Sequence, residues 1–181
     1  MNLIATVSDL VDEPQDFIDR AGNKEIGWAG ICGCLFGTLS IFTFLRMFSA
    51  VPPGVYSFLN VLAIMFGINF FFASAMHLFL EMTGSRGAAL KLFFLVGATD
   101  FFWAVLIPLG FLAKVEYLNP VTDFLLCAVI VLLARISLIR RLYSISRNKA
   151  LLALSLPYAA LAAGFFMVVV YAIVYMVWLL I

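Results

Sequence analysis

The chain has 181 residues, of which 65% are hydrophobic and 12% are charged, and its formal net charge is +1. Soluble globular domains use roughly 45–50% apolar and about 25% charged residues, so this composition excludes an ordinary soluble domain. We expect membrane lipids, and no nucleic acid, among its partners.

The first segment, residues 1–26, is acidic and amphipathic. Its apolar residues recur at helical spacing, and acids that include Asp12 and Asp16 occupy the other face. Asp12 or Glu13 is placed to cap a helix that starts at Pro14. We predict a short amphipathic cytoplasmic helix that precedes a transmembrane domain, residues 27–181.

Five apolar stretches follow, each long enough, or nearly so, to cross a hydrocarbon core of about 30 Å. Turn-forming sequences separate the first four: Pro52-Pro53-Gly54, Gly84-Ser85-Arg86-Gly87 and Asn119-Pro120. Single segments satisfy their own backbone groups in lipid only as helices. We therefore predict an all-α integral membrane bundle of five transmembrane helices, at about residues 27–48, 55–80, 90–113, 118–139 and 157–181.

The last apolar run, residues 150–181, is longer than one span requires, at about 48 Å for a continuous helix. Pro157 is a natural residue for the first turn of a helix. We therefore predict that the fifth span begins at Pro157 and that residues 150–156 lie at the membrane interface.

Small residues recur in the first span at spacings of three and four, as Gly27, Gly30, Gly33 and Gly37. This small-xxx-small pattern allows transmembrane helices to approach closely. We predict tight packing through Gly30, Gly33 and Gly37, either inside the bundle or against a partner.

The basic residues are distributed unequally between the ends of the spans. With the N-terminus inside, nine Lys and Arg residues flank the inner ends and two, Arg46 and Lys114, flank the outer ends. The positive-inside rule then predicts a cytoplasmic N-terminus and a C-terminus outside. The connector after the fourth span carries most of this charge, in Arg135, Arg140, Arg141, Arg147 and Lys149.

We also hypothesise that the acidic N-terminal helix lies near this basic connector, so that Asp12, Asp16 and the connector form one cytoplasmic charged face. The alternative is two independently solvated segments, because exposed ion pairs contribute only 0 to about 1 kcal/mol each.

Asp100 lies deep in the third span, about 20 Å beyond Gly87 at helical rise, and Asn69 lies at a similar depth in the second. An acid at this depth costs about 2.5–3.5 kcal/mol on insertion scales. Asp100 is either a proton or cation site supported by Asn69 and Thr99, or a carboxyl that hydrogen-bonds across a helix interface and fixes packing. We favour packing, because we expect no basic partner at its level.

Two further charged residues lie in the fourth span, Asp123 and Arg135. They are near its opposite ends, so we expect their side chains to extend to the two membrane interfaces.

His77 and Glu81 lie one helical turn apart on one face of the second span. This spacing could supply two metal ligands, but zinc usually takes three or four and the chain has one histidine. We expect a structural pair instead. Because the sequence shows no HExxH motif, phosphate-binding loop or catalytic Ser–His pattern, we expect a non-enzymatic protein without metal or cofactor.

Several short motifs occur in a characteristic order: Asp12-Glu13-Pro14-Gln15-Asp16-Phe17, then His77-Leu78 before the Gly84–Gly87 turn, Pro108-Leu109-Gly110, and Ser146-Arg147-Asn148-Lys149-Ala150 before Pro157. With the five-span layout, this order resembles the Yip1-domain family of multi-span membrane proteins over nearly the whole chain. The resemblance implies a five-helix bundle with a cytoplasmic N-terminal segment.

Eukaryotic members of that family take part in vesicle trafficking and bind small GTPases, and bacterial members are mostly uncharacterised. The short N-terminal segment and the lack of an Asn-x-Ser/Thr acceptor are more similar to a bacterial member, which implies the bacterial inner membrane. The family has no agreed catalytic residues to transfer to this chain.

We therefore expect an adaptor, scaffold or accessory subunit of a membrane assembly, with a protein partner or as a homo-oligomer. The alternative is a small transporter or channel subunit that moves an ion or a lipid-like solute past Asp100. A third possibility, an intramembrane enzyme using His77 and Glu81, would require a bound metal.

The predicted topology can be tested with epitope tags at the two chain ends. In spheroplasts, whose outer membrane has been opened, we expect protease to reach the C-terminal tag, and the N-terminal tag only after permeabilisation, because five crossings put the ends on opposite sides. Two tags accessible from the same compartment would contradict an odd number of crossings.

Overall fold

The computed structural model of the protein describes residues 22–180, without the side chains of Asn23 and Leu180. The predicted N-terminal helix, with Asp12 and Asp16, lies outside these residues. Its proposed proximity to the basic connector therefore stays a prediction.

The described residues form six α-helices and one 3-10 helix, with no strand among them. Two of the α-helices and the 3-10 helix between them follow one another directly and form the third span, Ala89–Lys114. Five segments are long and apolar enough to cross a membrane, which confirms the predicted number of apolar helices. In chain order the elements are α1 (Asn23–Met47), α2 (Val55–Met82), α3 (Ala89–Thr99), the 3-10 helix (Asp100–Val105), α4 (Leu106–Lys114), α5 (Pro120–Leu142) and α6 (Arg147–Leu180).

Local sequence explains where these helices begin. The Glu25 carboxylate accepts a hydrogen bond from the Gly22 N–H at 3.2 Å, which satisfies a free donor at the start of α1. The Asn119 side chain accepts from the Val121 N–H at 2.9 Å, and Pro120 occupies the first position of α5. The turns before α2 and after it contain Gly54 and Gly84, both with positive φ.

The 3-10 helix in the third span lies immediately before α4, whose third residue is Pro108. Proline donates no N–H, and its ring crowds the carbonyl group four residues earlier, here that of Ala104. In the third span the chain is wound as a 3-10 helix over Asp100–Val105, directly before the turn of α-helix that holds Pro108.

The third span is the centre of the bundle, because it contacts α1, α2 and α5, whereas α6 packs mainly against α2 and α5. One large apolar cluster, which includes Met76, Leu92 and Ile139, lies towards the end that holds Arg86, Arg140, Arg147 and Lys149, called here the basic end. A second lies nearer the opposite end and includes Phe44, Leu106 and Val131.

The glycine face of α1 packs against the third span. A Cβ atom on Gly30 would lie 2.7 Å from the Cα of Phe94, and one on Gly33 would lie 2.7 Å from the Cα of Ala98. On Gly37 it would lie 2.7 Å from the Cβ of Asp100. The sequence left open whether these glycines pack inside the bundle or against a partner. The structure places them inside the bundle.

The last helix differs from its prediction. It runs without interruption from Arg147 to Leu180 with Pro157 inside it, so the predicted start at Pro157 is wrong. Membrane helices tolerate an internal proline, because neighbouring groups and local adjustments satisfy the freed backbone carbonyl. Ala150, Ala153 and Leu154 are buried, whereas every residue from Tyr158 to Leu179 is exposed.

We expect Gly33→Ala to lower the melting temperature of the purified protein, because the new methyl group would meet the backbone of Gly97 and Ala98. Overpacking of this kind costs about 1–3 kcal/mol. Gly67→Ala is the matched control, since a Cβ atom there meets nothing within 4 Å. An equal loss of thermal stability in the two variants would contradict the close helix contact.

Candidate functional site

Four polar side chains meet in the middle of the bundle: Asn69 from α2, Thr99 and Asp100 from the third span, and Arg135 from α5. Each residue is at most 5% exposed. We call this group the polar cluster. It joins three spans that are far apart in the sequence.

The Arg135 guanidinium group is the main donor of the cluster. Its Nη2 atom lies 2.8 Å from Oδ1 of Asp100 and 3.0 Å from Oδ1 of Asn69. Its Nε atom donates to Oγ1 of Thr99 at 3.2 Å. The Asn69 amide nitrogen donates to the other Asp100 oxygen, Oδ2.

Thr99 completes the network by donating its hydroxyl hydrogen to the Val96 carbonyl at 2.6 Å. Both oxygens of Asp100 therefore accept hydrogen bonds, and its charge is opposed by that of Arg135. A buried charge is tolerated when it is paired and hydrogen-bonded, and is very costly otherwise. The geometry is that of a neutral clamp between helices, in which both Asp100 oxygens are hydrogen-bonded.

Asn69, Thr99 and Asp100 lie together, as their depth in the sequence predicts. Arg135 does not lie where it was expected. The sequence analysis placed it on the cytoplasmic charged face and left Asp100 without a basic partner, and both statements are wrong because the two side chains form a buried ion pair.

The sequence contains a signal that would have placed Arg135 correctly. Arg140 and Arg141 occupy the last turn of α5, so they mark the end of the span. Arg135 lies five residues before Arg140, or about 8 Å deeper at the rise of an α-helix. It is therefore inside the apolar part of the bundle, where an acid on another span is the expected partner.

Asp123 also departs from its prediction, because it is 2% exposed rather than extended to an interface. It lies in the first turn of α5, where the helix dipole favours negative charge. Its Oδ2 atom is buried and has no hydrogen-bond partner among residues 22–180. Asp123 is thus a second buried acid without the pairing that Asp100 has.

At the basic end, His77 and Glu81 do form a pair, with 3.6 Å between Nε2 and Oε2. The other ring nitrogen of His77, Nδ1, lies 2.7 Å from the hydroxyl of Tyr143, the residue after α5. Burial, reinforced by the nearby Glu81 charge, raises the pKa of Tyr143 to about 12, so this hydroxyl keeps its proton.

The remaining basic residues of the connector lie closer to solvent than Arg135. Arg140 and Arg147 are exposed, and Arg141 and Lys149 are half-buried. The Lys149 ammonium group donates to the Thr83 carbonyl at 2.9 Å and to the Ser85 hydroxyl at 2.8 Å. These contacts tie the start of α6 to the turn between α2 and α3.

An apolar cavity of about 580 Å³ lies beside the polar cluster, between α1, α2 and α3. Asn69 forms part of its wall, and the Cys34 sulfur lies 4.0 Å from the Asn69 amide nitrogen. Neither Asp100 nor Arg135 lines it. Sequence reasoning does not reveal this cavity, because the helices that line it meet only in the folded bundle.

The described residues contain no group of three or more His, Cys, Asp or Glu side chains arranged to hold a metal ion. Their chemistry is therefore that of the polar cluster, the His77–Tyr143 contact and the apolar cavity.

No protein-family model, curated protein or solved structure matches this chain significantly. The resemblance to the Yip1-domain family stays a prediction, and function has to be argued from the site itself.

Two buried acids in one protein allow a controlled test of the ion pair. We expect Asp100→Asn to destabilise the purified protein by about 3–5 kcal/mol, because it leaves Arg135 as an uncompensated buried charge. Asp123→Asn should be neutral or stabilising, since it removes a buried charge without a partner among residues 22–180. Thermal unfolding in one detergent measures both.

The double variant Asp100→Asn, Arg135→Gln removes both charges of the pair and should recover most of the lost stability. A double variant no more stable than Asp100→Asn alone, or equal effects of Asp100→Asn and Asp123→Asn, would contradict the clamp.

Proposed function

We propose that this chain is a non-enzymatic multi-pass membrane protein that acts as an adaptor, scaffold or accessory subunit of a membrane assembly. The observation that carries the proposal is the exposure of α6 on all sides from Tyr158 to Leu179. This helix is the surface through which the bundle would contact a protein partner or a second copy of itself.

The polar cluster supports a structural rather than a chemical role for the deepest charges. Asp100 is completely buried, and both of its oxygens are occupied by Arg135 and Asn69. A proton-relay carboxyl needs a route by which protons arrive and leave, whereas this one is closed by internal bonds. The cluster stabilises the bundle and leaves recognition to its surface.

The rest of the bundle contrasts with α6. In the most apolar stretch of 18 residues, half of the residues are buried in the first and third spans, 33% in the fourth and 17% in the second, against none in the fifth. Helix association in lipid depends on packing and hydrogen bonds, because lipid chains are as apolar as the helix surface. A helix that makes no such contacts along most of its length is free to make them with another protein.

The aromatic residues of α6 give its far end a defined surface. Tyr175 stacks on Tyr171 and on Trp178, with ring centroids 6.3 and 6.2 Å apart. Tyrosine and tryptophan favour the headgroup region. We propose that this end lies at the outer interface of a bacterial inner membrane, and that the basic end faces the cytoplasm together with the N-terminus.

The second candidate is a small transporter or channel subunit for an ion or a lipid-like solute. The cavity beside Asn69 favours a lipid-like solute, because its wall is almost entirely apolar. A solute that reached Asn69 would be one hydrogen bond away from Asp100. In this case the double variant Asp100→Asn, Arg135→Gln would be stable but inactive.

The adaptor proposal can be tested by site-specific photo-crosslinking in native membranes. The photoreactive residue benzoylphenylalanine replaces Tyr171 on α6, which is 71% exposed, or Phe111 on α4, which is 58% exposed, as the matched control. We expect Tyr171 to give one discrete protein adduct, either a partner or a second copy, and Phe111 to give lipid adducts only.

Replacing residues 159–180 with an alanine–leucine helix of the same length, with the photoreactive residue kept at position 171, should abolish the protein adduct without changing the melting temperature, because this exposed segment packs on little else. Tyr158 is kept, since its ring packs against that of Phe72 with the centroids 4.5 Å apart. Lipid adducts alone at both positions, together with a monomer in mild detergent, would overturn the adaptor proposal.

A further inference from the structure

We propose that the cavity between α1, α2 and α3 binds one acyl chain of a membrane phospholipid. This inference rests on the proposed crossing of the membrane by the helices, and it is independent of the adaptor role of α6.

The cavity follows the helices lengthwise. Along α2 it is lined from Leu59, in the second turn of the helix, to Asn69 at the middle, a separation of ten residues that corresponds to a rise of about 15 Å. On α1 and α3 the lining continues towards the basic end, to Gly30 and Phe93, which lie closer to that end than Cys34 and Asp100, the residues that contact Asn69. A site of about 15 Å or longer suits an acyl chain, because one chain occupies half of a hydrocarbon core of about 30 Å.

The walls of the cavity have the chemistry of a hydrocarbon site. They are formed chiefly by aliphatic and aromatic side chains, including Ile31, Leu35, Leu62, Phe66 and Phe93. Ile31, Leu35 and Phe66 are exposed on the outside of the bundle as well, so the cavity opens towards the lipid that would surround these helices. Its volume of about 580 Å³ lies within the range of about 300–1,000 Å³ that is typical of ligand sites.

The α2 wall of the cavity ends at Asn69, whose amide donors and carbonyl acceptor all have partners inside the protein. The Asn69 carbonyl accepts from Arg135, and its amide nitrogen donates to Asp100 and, at 4.0 Å, to the Cys34 sulfur. The buried Cys34 thiol beside it behaves as a small hydrophobe. The part of a ligand that reaches this end is therefore apolar, which favours an acyl tail over a headgroup.

Glycines keep this space open. Gly30 and Gly97 bring the backbones of α1 and α3 together at the cavity wall, where a Cβ atom on Gly97 would lie 2.7 Å from the Gly30 carbonyl oxygen. Gly67, on α2, also lines the cavity, and a Cβ atom there meets nothing within 4 Å. An unfilled cavity forfeits dispersion contacts along its walls, and an acyl chain restores them.

The same observations provide the test. Gly67→Leu places a side chain into open space within the cavity, so it should block the site without a backbone clash. Gly164→Leu on α6 is the matched control, because it makes the same change at a position that is also open but does not line the cavity. Ala63→Phe blocks the cavity from a second position.

The proteins are reconstituted in dioleoylphosphatidylcholine vesicles that contain a phosphatidylcholine with a diazirine in one acyl chain. After irradiation, mass spectrometry compares labelling of residues 59–69 with labelling of the exposed α5 residues Leu125, Leu126 and Leu133. We expect Gly67→Leu and Ala63→Phe to reduce labelling of residues 59–69 at least fivefold and to leave α5 labelling unchanged. Gly164→Leu should match the wild type.

Native mass spectrometry from mild detergent provides the second readout. We expect one retained phospholipid per chain in the wild type and in Gly164→Leu, and none in Gly67→Leu or Ala63→Phe. The proposal would be overturned if Gly67→Leu and Ala63→Phe both left the labelling of residues 59–69 unchanged. It would also be overturned if a second copy of the chain were crosslinked at the cavity.

Resistance of each variant to carbonate extraction measures membrane insertion separately. Crosslinking at Tyr171 should be unaffected by Gly67→Leu, so failure of the acyl-chain proposal and failure of the adaptor proposal give different results.

Discussion

The buried ion pair between Asp100 and Arg135 is the constraint on which the bundle depends. Neither charge is tolerable alone among apolar side chains, and together they need further hydrogen bonds to satisfy the remaining donors and acceptors. Asn69 and Thr99 supply these bonds. Three spans must therefore meet at one level: a slip of one helical turn in the third span or in α5 would separate the two charges, and a slip in α2 would remove the hydrogen bonds of Asn69.

The glycine face of α1 and the polar cluster contact opposite sides of one short segment, the start of the 3-10 helix at Asp100. The backbone and Cβ of Asp100 pack against Gly37, while its carboxylate points to Arg135. The 3-10 helix begins at Asp100 and ends three residues before Pro108. Close backbone packing, a tightened helix and a paired charge thus combine at the centre of the protein, and together they explain why this region is structural.

The features that remain for function lie around that centre. The polar cluster is closed to ligands, whereas the apolar cavity is open at its side and α6 is exposed along most of its length. Both open surfaces suit the apolar partners that a membrane offers, one a lipid tail and the other a protein helix. A buried polar core with two exposed apolar surfaces fits the accessory subunit that we propose.

The sequence alone determined the number of apolar helices, most of their ends, the glycine face of α1 and the common depth of Asn69 and Asp100. These properties depend on local composition, on turn-forming residues and on a constant rise per residue. The predicted N-terminal helix and the family resemblance stay predictions.

Only the tertiary structure decided that Arg135 pairs with Asp100, that Asp123 is buried, that α6 continues through Pro157 without packing beyond its first turns, and that a cavity opens beside Asn69. Each of these depends on how far the helices rotate and tilt relative to one another. Hydropathy along a single segment does not specify that rotation, because in a membrane both the core face and the lipid face of a helix are apolar.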